Sequence, residues 1–315
     1  MSVSVVIPCY HSAQSIEALV DKLSVLKVVS QVVLVNDNSR DATWDAIERA
    51  SAKHGFVEGY NLARNVGQHN ALLVGIRQCR NDTVITMDDD LQHDPQDIPK
   101  MLAKLEAGAD LVYGVPEQTQ QNFLRRLSSD VSKRMFESLL NMPNAADSSA
   151  FRAISANGKQ ALLAFSGGLV DIDAILSWGV RDVALVKINH QARLYGQSNY
   201  SYRKLFAHAL KMIIAYSEAP LIISFFVGVM VLLLSVGMIT YYIAIALIEG
   251  TTVPGFTMLL CTILFFSGTQ ILMIGILSRY VGSIHSQVNG KPIAIVRSTA
   301  GVKKAKPLMS APLEH

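Results

Sequence analysis

The chain has 315 residues, half of them hydrophobic, with a net charge of +3 and three cysteines. That length admits one α/β domain with something added, and a mean hydropathy of +0.29 is more than a purely soluble domain needs. The small net charge gives no ground for a nucleic-acid partner, and Cys9, Cys79 and Cys261 are too scattered for a zinc or disulfide framework, which fits a reducing compartment.

The chain opens Met1-Ser2-Val3-Ser4-Val5, without a basic segment or a long apolar run, so no cleavable signal is expected. Residues 3–7 read as a strand stopped by Pro8, and residues 15–26 have helical spacing. A second strand over 31–35 ends in Asn36-Asp37-Asn38-Ser39. The helix that follows, about 42–52, has Ser39 or Asp41 to cap its start. A helix over 67–79, a strand over 83–87, a helix over 98–107 and a strand over 110–113 complete the series. Alternation of this kind predicts a mostly parallel sheet wrapped by helices. Ligands of such sheets bind beyond the carboxyl ends of the strands. Pro8-Cys9-Tyr10, Asn36-Asp37 and Asp88-Asp89-Asp90 all fall there. No Gly-x-Gly-x-x-Gly follows a strand and no Gly-x-x-x-x-Gly-Lys occurs, which argues against a dinucleotide redox enzyme and a P-loop ATPase.

The acidic tip is the sharpest local signal. A β-branched run, Val84-Ile85-Thr86, leads into three consecutive carboxylates, which repel one another and are costly to desolvate. A divalent cation offsets that cost, because hard cations prefer carboxylate oxygens and bridge to phosphates. On an extended tip Asp88 and Asp90 point to one side and Asp89 to the other. A solvated acidic turn would carry the same triplet, and the triplet alone does not separate the two readings.

Residues 122–140 and 200–216 read as helices whose apolar faces carry Arg and Lys. The first, with Arg125, Arg126, Lys133 and Arg134, suits a membrane surface or a solvated helix on the domain. The second runs straight on towards apolar sequence, which favours an interfacial place. Residues 219–248 and 250–278 contain no charge, and each stretch exceeds the roughly 20 residues of a membrane-crossing helix. A pair of buried core helices would need a larger domain around it. The link between the stretches lacks Lys and Arg, whereas Arg203, Lys204 and Lys211 precede them and Arg279, Lys291, Arg297 and Lys303 follow. This bias puts both termini and the large domain in the cytoplasm, on a multi-pass protein of the inner membrane whose flanking cations meet lipid headgroups. Small residues such as Gly268 and Gly275 would allow a homo-oligomer. The expected organisation is a domain over 1–200, a juxtamembrane helix over 201–217, two spans over 218–282 and a basic tail over 283–315, loosely ordered after about residue 290.

Six segments in order carry a family resemblance: Val5-Val6-Ile7-Pro8-Cys9-Tyr10, Val35-Asn36-Asp37-Asn38-Ser39-Arg40-Asp41-Ala42-Thr43, Arg64-Asn65-Val66-Gly67-Gln68-His69-Asn70-Ala71, Met87-Asp88-Asp89-Asp90-Leu91-Gln92-His93-Asp94-Pro95, Asp147-Ser148-Ser149-Ala150-Phe151-Arg152 and Arg193-Leu194-Tyr195-Gly196-Gln197-Ser198-Asn199-Tyr200. With the apolar pair after them, the chain resembles the polyprenyl-phosphate glycosyltransferases of glycosyltransferase family 2. These include dolichol-phosphate mannose synthase, the bactoprenol glucosyltransferases and the undecaprenyl-phosphate aminoarabinose transferases. The resemblance implies a GT-A, Rossmann-like nucleotide-sugar domain followed by interfacial and transmembrane helices. It implies an inverting, metal-dependent enzyme that moves one sugar from a nucleotide-sugar, UDP-linked, to undecaprenyl phosphate for cell-envelope glycans.

By position, Pro8, Tyr10 and Asp37 would hold the nucleoside, with Asp37 accepting the imide N–H of a uracil. Asp88 and Asp90 would hold Mg²⁺ or Mn²⁺ and the donor diphosphate, with Asp89 and Gln92 beside them. Arg193 and Ser198 would close over phosphates. Asp147 falls at the place of a base beside the acceptor, or hydrogen-bonds a loop. Arg125, Arg126 and Arg152 are candidates for the acceptor phosphate. Two departures stand out. Tyr10-His11-Ser12 lacks the acid of the family's Tyr-Asn-Glu, and Asn199 stands where the family has a phosphate-facing Lys, a role that falls to Arg203 or Lys204. His69 reads as a capping or packing residue, and His93 as a residue beside the tip without a partner at ligand spacing. A processive polysaccharide synthase and a non-catalytic membrane scaffold are the competing readings.

Overall fold

The computed structural model describes residues 1–116, 148–167, 170–188, 219–249, 255–288 and 292–302. The chain divides into two compact units. One comprises Met1–Glu137, Met142–Asn199 and Pro292–His315, the other Ser138–Asn141 and Tyr200–Lys291.

The first unit begins with β1 (Val3–Cys9), α1 (Ile16–Ser24), β2 (Val29–Asn36), α2 (Thr43–Lys53), β3 (Val57–Leu62) and α3 (Gln68–Arg77). It continues with β4 (Thr83–Thr86), a 3-10 turn (Pro95–Asp97), α4 (Ile98–Glu106), β5 (Leu111–Pro116), β6 (Arg152–Ile154), α5 (Ala156–Ala164), α6 (Ile172–Gly179) and β7 (Val183–Ile188). The second unit supplies α7 (Ala219–Glu249) and α8 (Gly255–Val288), after which β8 (Val296–Ala300) rejoins the first.

The strands form one sheet in the order β7-β5-β6-β4-β1-β2-β3-β8. β1 is parallel to β2 and β4, β2 to β3 and β5 to β7, while β6 and β8 run antiparallel to their neighbours. The expected mostly parallel α/β architecture is therefore present. Every residue of β1 is buried, because helices cover both faces of the sheet. On one face Val3, Val5 and Ile7 meet Leu19 and Leu23 of α1, Ile47 of α2 and Met101 of α4. On the other, Val6, Val33 and Val35 meet Leu72, Leu73 and Ile76 of α3, with Leu176 of α6 in the same cluster.

The approach of α3 to the sheet depends on Gly75. A Cβ there would run into Val6 and come within 3.0 Å of Val35. Gly75→Ala is expected to overpack this layer and destabilise the unit by about 1–3 kcal/mol, read as a lowered thermal midpoint.

Four strands were not expected from the sequence. β3 carries Glu58, which is 3% exposed, in place of a hydrophobic residue. The buried carboxylate is satisfied by Gln31 Nε2 at 3.1 Å, by Tyr60 OH at 3.1 Å and by an ion pair with Arg80. β6 has 3 residues, too few to show a period. β7 and β8 lie at the edges, where alternate residues stay partly exposed. β8 also corrects the expectation of a loose tail after residue 290. Val-Arg-Ser-Thr-Ala looks like linker, yet β3 offers it an open edge and pairs Tyr60 with Thr299 and Asn61 with Ser298.

In the second unit α7 has 31 residues and α8 has 34. Over the described residues alone no helix is long and apolar enough to cross a membrane. The full sequence of α7 nevertheless carries no charge before Glu249. The expected helices over 122–140 and 200–216 lie outside the described residues.

Candidate active site

β1, β2 and β3 spread to one side while β4 pairs on the other side of β1, so the strand order switches between β1 and β4. A crevice at the carboxyl ends of the strands follows from such a switch. The acidic tip leaves β4 at this point.

The three acids take different partners. Asp89 turns to β1, where it accepts hydrogen bonds from the Tyr10 amide at 3.1 Å and from the Ser12 hydroxyl. Burial pushes its carboxyl above the usual range, and these donors only partly offset that. Asp88 accepts from Gln68 Nε2 at 2.7 Å, at the first turn of α3. Asp90 accepts from the Gln92 amide at 3.1 Å. That turn needs Leu91 at φ 62°, a left-handed conformation rare for an apolar residue, and its 5% exposed side chain is anchored in the core. Anchored this way, the turn leaves Asp88 and Asp90 half-buried at the surface. Among the described residues no group of three or more His, Cys, Asp or Glu side chains converges. Two carboxylates suit a divalent cation that takes its other oxygens from a diphosphate and water, so the residues present fit Mg²⁺ or Mn²⁺.

Asp37, 4% exposed, lies just past β2 and accepts from the amides of Val66 at 2.7 Å and Gly67 at 2.8 Å. Burial raises its carboxyl above the usual range despite both amides. Gly67 has φ 91°, which turns the chain into α3 directly after it. Pro8 is buried and Tyr10 is 51% exposed, so the β1 end presents an uncovered ring next to this loop-binding acid. Asp41 accepts from the Thr43 amide at 3.3 Å and so helps start α2, whereas Ser39 accepts from the His11 amide at 3.1 Å.

The histidines behave as packing and capping residues. His69 Nδ1 accepts from the Ile172 amide at 3.1 Å, which ties α3 to the start of α6. His93 is 7% exposed and stacks on Phe151, ring centroids 5.1 Å apart.

Arg152 was expected on the acceptor phosphate. The structure places it elsewhere, 4% exposed on β6 and bidentate to Asp173 of α6, with Nε at 2.7 Å and Nη2 at 2.6 Å. Its Nη1 donates to the Ala150 carbonyl at 3.3 Å. Tyr113 OH donates to the same Asp173 oxygen as Nε, at 2.8 Å. A guanidinium so engaged is a poor receptor for an incoming phosphate. Sequence reading missed Asp173 because Asp171-Ile172-Asp173 looks like a helix start, and Asp171 does accept from the Ala174 amide at 3.0 Å. Ser12 and Gln68, which fasten two of the three acids, gave no signal beyond their places next to motif residues. Arg125, Arg126, Asp147, Arg193, Ser198 and Asn199 lie outside the described residues.

Residues 4–157 match the family model Glycosyl transferase family 2. The undecaprenyl-phosphate 4-deoxy-4-formamido-L-arabinose transferase of Pseudomonas syringae pv. syringae is 32% identical over 95% of this chain and 92% of its own. The chain belongs to glycosyltransferase family 2. A second relative of this glycosyltransferase, the same-named protein of Pseudomonas fluorescens, is 30% identical over 98% of this chain and 93% of its own. Among solved structures, glucosyl-3-phosphoglycerate synthase of Mycobacterium tuberculosis in complex with UDP aligns at TM-score 0.49 with 18% identity, over 68% of this chain and 78% of that one.

Proposed function

We propose that this family 2 glycosyltransferase moves one sugar from a UDP-linked donor to undecaprenyl phosphate at the cytoplasmic face of the inner membrane. The observation that carries the reading is the likeness to undecaprenyl-phosphate sugar transferases across nearly the whole chain, α7 and α8 included, at 30% identity. It is supported by the separation of Asp88 and Asp90 from Asp89 at the topological switch point.

In this reading the nucleoside lies between Tyr10 and the Asp37 loop. Asp88 and Asp90 hold Mg²⁺ or Mn²⁺, which when bound screens the charge that develops on the departing diphosphate. The acceptor phosphate oxygen attacks the anomeric carbon as the bond to the diphosphate oxygen breaks, so one displacement inverts the configuration. A phosphate monoester, with a second pKa near 6, is already anionic at neutral pH. It needs positioning more than proton removal, which leaves Arg193 to orient phosphates and gives Asp147 the part of a loop-holding residue rather than a strong base.

The membrane enters through the acceptor. α7, with 31 residues, is about 46 Å long at 1.5 Å per residue, beyond the roughly 30 Å of a hydrocarbon core. With α8 it makes two spans, and the Lys and Arg bias of the flanks keeps the catalytic unit and both termini in the cytoplasm. An active site held this way meets an acceptor headgroup whose chain stays in lipid.

Membranes containing the protein, incubated with a panel of UDP-sugars and undecaprenyl phosphate, should yield a lipid heavier by one sugar residue. A polymer among the lipid products, or no glycosylated lipid with any donor, overturns the proposal.

A further inference from the structure

We propose that Asp173 neutralises the buried Arg152 guanidinium so that it does not compete with a divalent cation for Asp88, and that this ion pair thereby sets the cation affinity of the acidic tip. The inference rests on the assignment of Asp88 and Asp90 as the cation's ligands. The sheet register carries it. Arg152 on β6 is the direct partner of Thr86 on β4, and Asp88 lies two residues further along the same chain. The Thr86 hydroxyl donates to the Ala150 carbonyl at 2.8 Å, and Arg152 Nη1 donates to that same carbonyl. The end of β4 and the guanidinium therefore share one anchoring point beneath the tip. Burial works against the Arg152 charge, but Asp173, then Tyr113 and Asp88, outweigh it and hold the guanidinium above its ordinary value.

A buried cation within electrostatic reach of a metal-binding carboxylate opposes the metal. Bidentate pairing takes up that charge with fixed geometry. Asp173 is itself held by Tyr113 OH, and its carboxyl, which burial would raise, is kept below the usual range chiefly by Arg152. Asp173 touches no substrate in this account and is a positioning residue.

Charge competition makes predictions of opposite sign, which a structural role does not. Mn²⁺ binding to the full-length protein, with UDP present, is measured by calorimetry for wild type, Asp173→Asn, Arg152→Gln and the double variant. Asp173→Asn exposes the tip to an uncompensated cation and should weaken Mn²⁺ by about ten- to hundredfold. Arg152→Gln leaves Asp173 negative and should bind Mn²⁺ more tightly than wild type. The double variant, neutral again, should return to within a few fold of wild type. If Asp173→Asn fails to fold, the sign of the Arg152→Gln change decides. Weaker binding in both single variants, or no change in either, overturns the inference while leaving the metal assignment intact. A wild type that binds no Mn²⁺, or binds it equally well after Asp90→Asn, overturns the metal assignment and this inference with it.

Discussion

Asp90→Asn should lower formation of the lipid-linked sugar by about 10²–10³-fold, the range seen when one preorganised electrostatic contact to a developing charge is removed. The effect is expected on turnover because the substitution removes charge without removing shape. Asp90 accepts a hydrogen bond from the Gln92 amide, and an asparagine oxygen accepts it equally well. Leu91 remains anchored in the core, so the turn keeps its left-handed residue. The thermal midpoint and near-UV spectrum should therefore match wild type while single-turnover sugar transfer collapses. Transfer at the wild-type rate would remove Asp90 from any role at the diphosphate.

Asp37→Ala should be the most damaging single change for the stability of the first unit. It strips the part-buried Val66 and Gly67 amides of their acceptor, at a cost of up to about 1–3 kcal/mol for each donor. The loop that opens α3 would lose its anchor, so denaturant midpoint and UDP affinity should fall together. The deficit is expected to depend on pH. Burial raises the Asp37 carboxyl in the folded protein above the value of about 3.9 that it has in an unfolded chain. The stability linked to that shift is fully present below the unfolded value and is lost as pH rises through the folded one. The gap between wild type and Asp37→Ala should hence widen as pH falls through this window. A gap independent of pH would show that Asp37 titrates alike in both states.

How much of this was legible in the sequence depended on where each element gets its stability. β1, β2 and β4 are almost wholly buried and read as mostly apolar runs, so their ends, and with them Tyr10, Asp37 and the acidic tip, were placed correctly. The turn of Asp89 towards β1 agrees with period-two geometry at the end of β4. β3 escaped because its stability rests on a buried polar group: Glu58 is paid for by neighbouring Tyr60 and by Gln31 and Arg80, which are distant in sequence. Arg152 was misplaced for a related reason. A lone arginine after a motif looks available for phosphate until the fold brings Asp173 and Tyr113 to it from α6 and β5.

The last strand carries a consequence for how the protein is made. More than two hundred residues separate Leu62 from its partner Val296. At 5–20 residues per second the ribosome needs roughly ten to fifty seconds to bridge that gap. Throughout that interval the growing chain displays the bare margin of β3, a template for unwanted pairing with other nascent chains. Newly synthesised protein should thus be most prone to clump before its final stretch emerges, and chains cut short ahead of Val296 should stay so permanently.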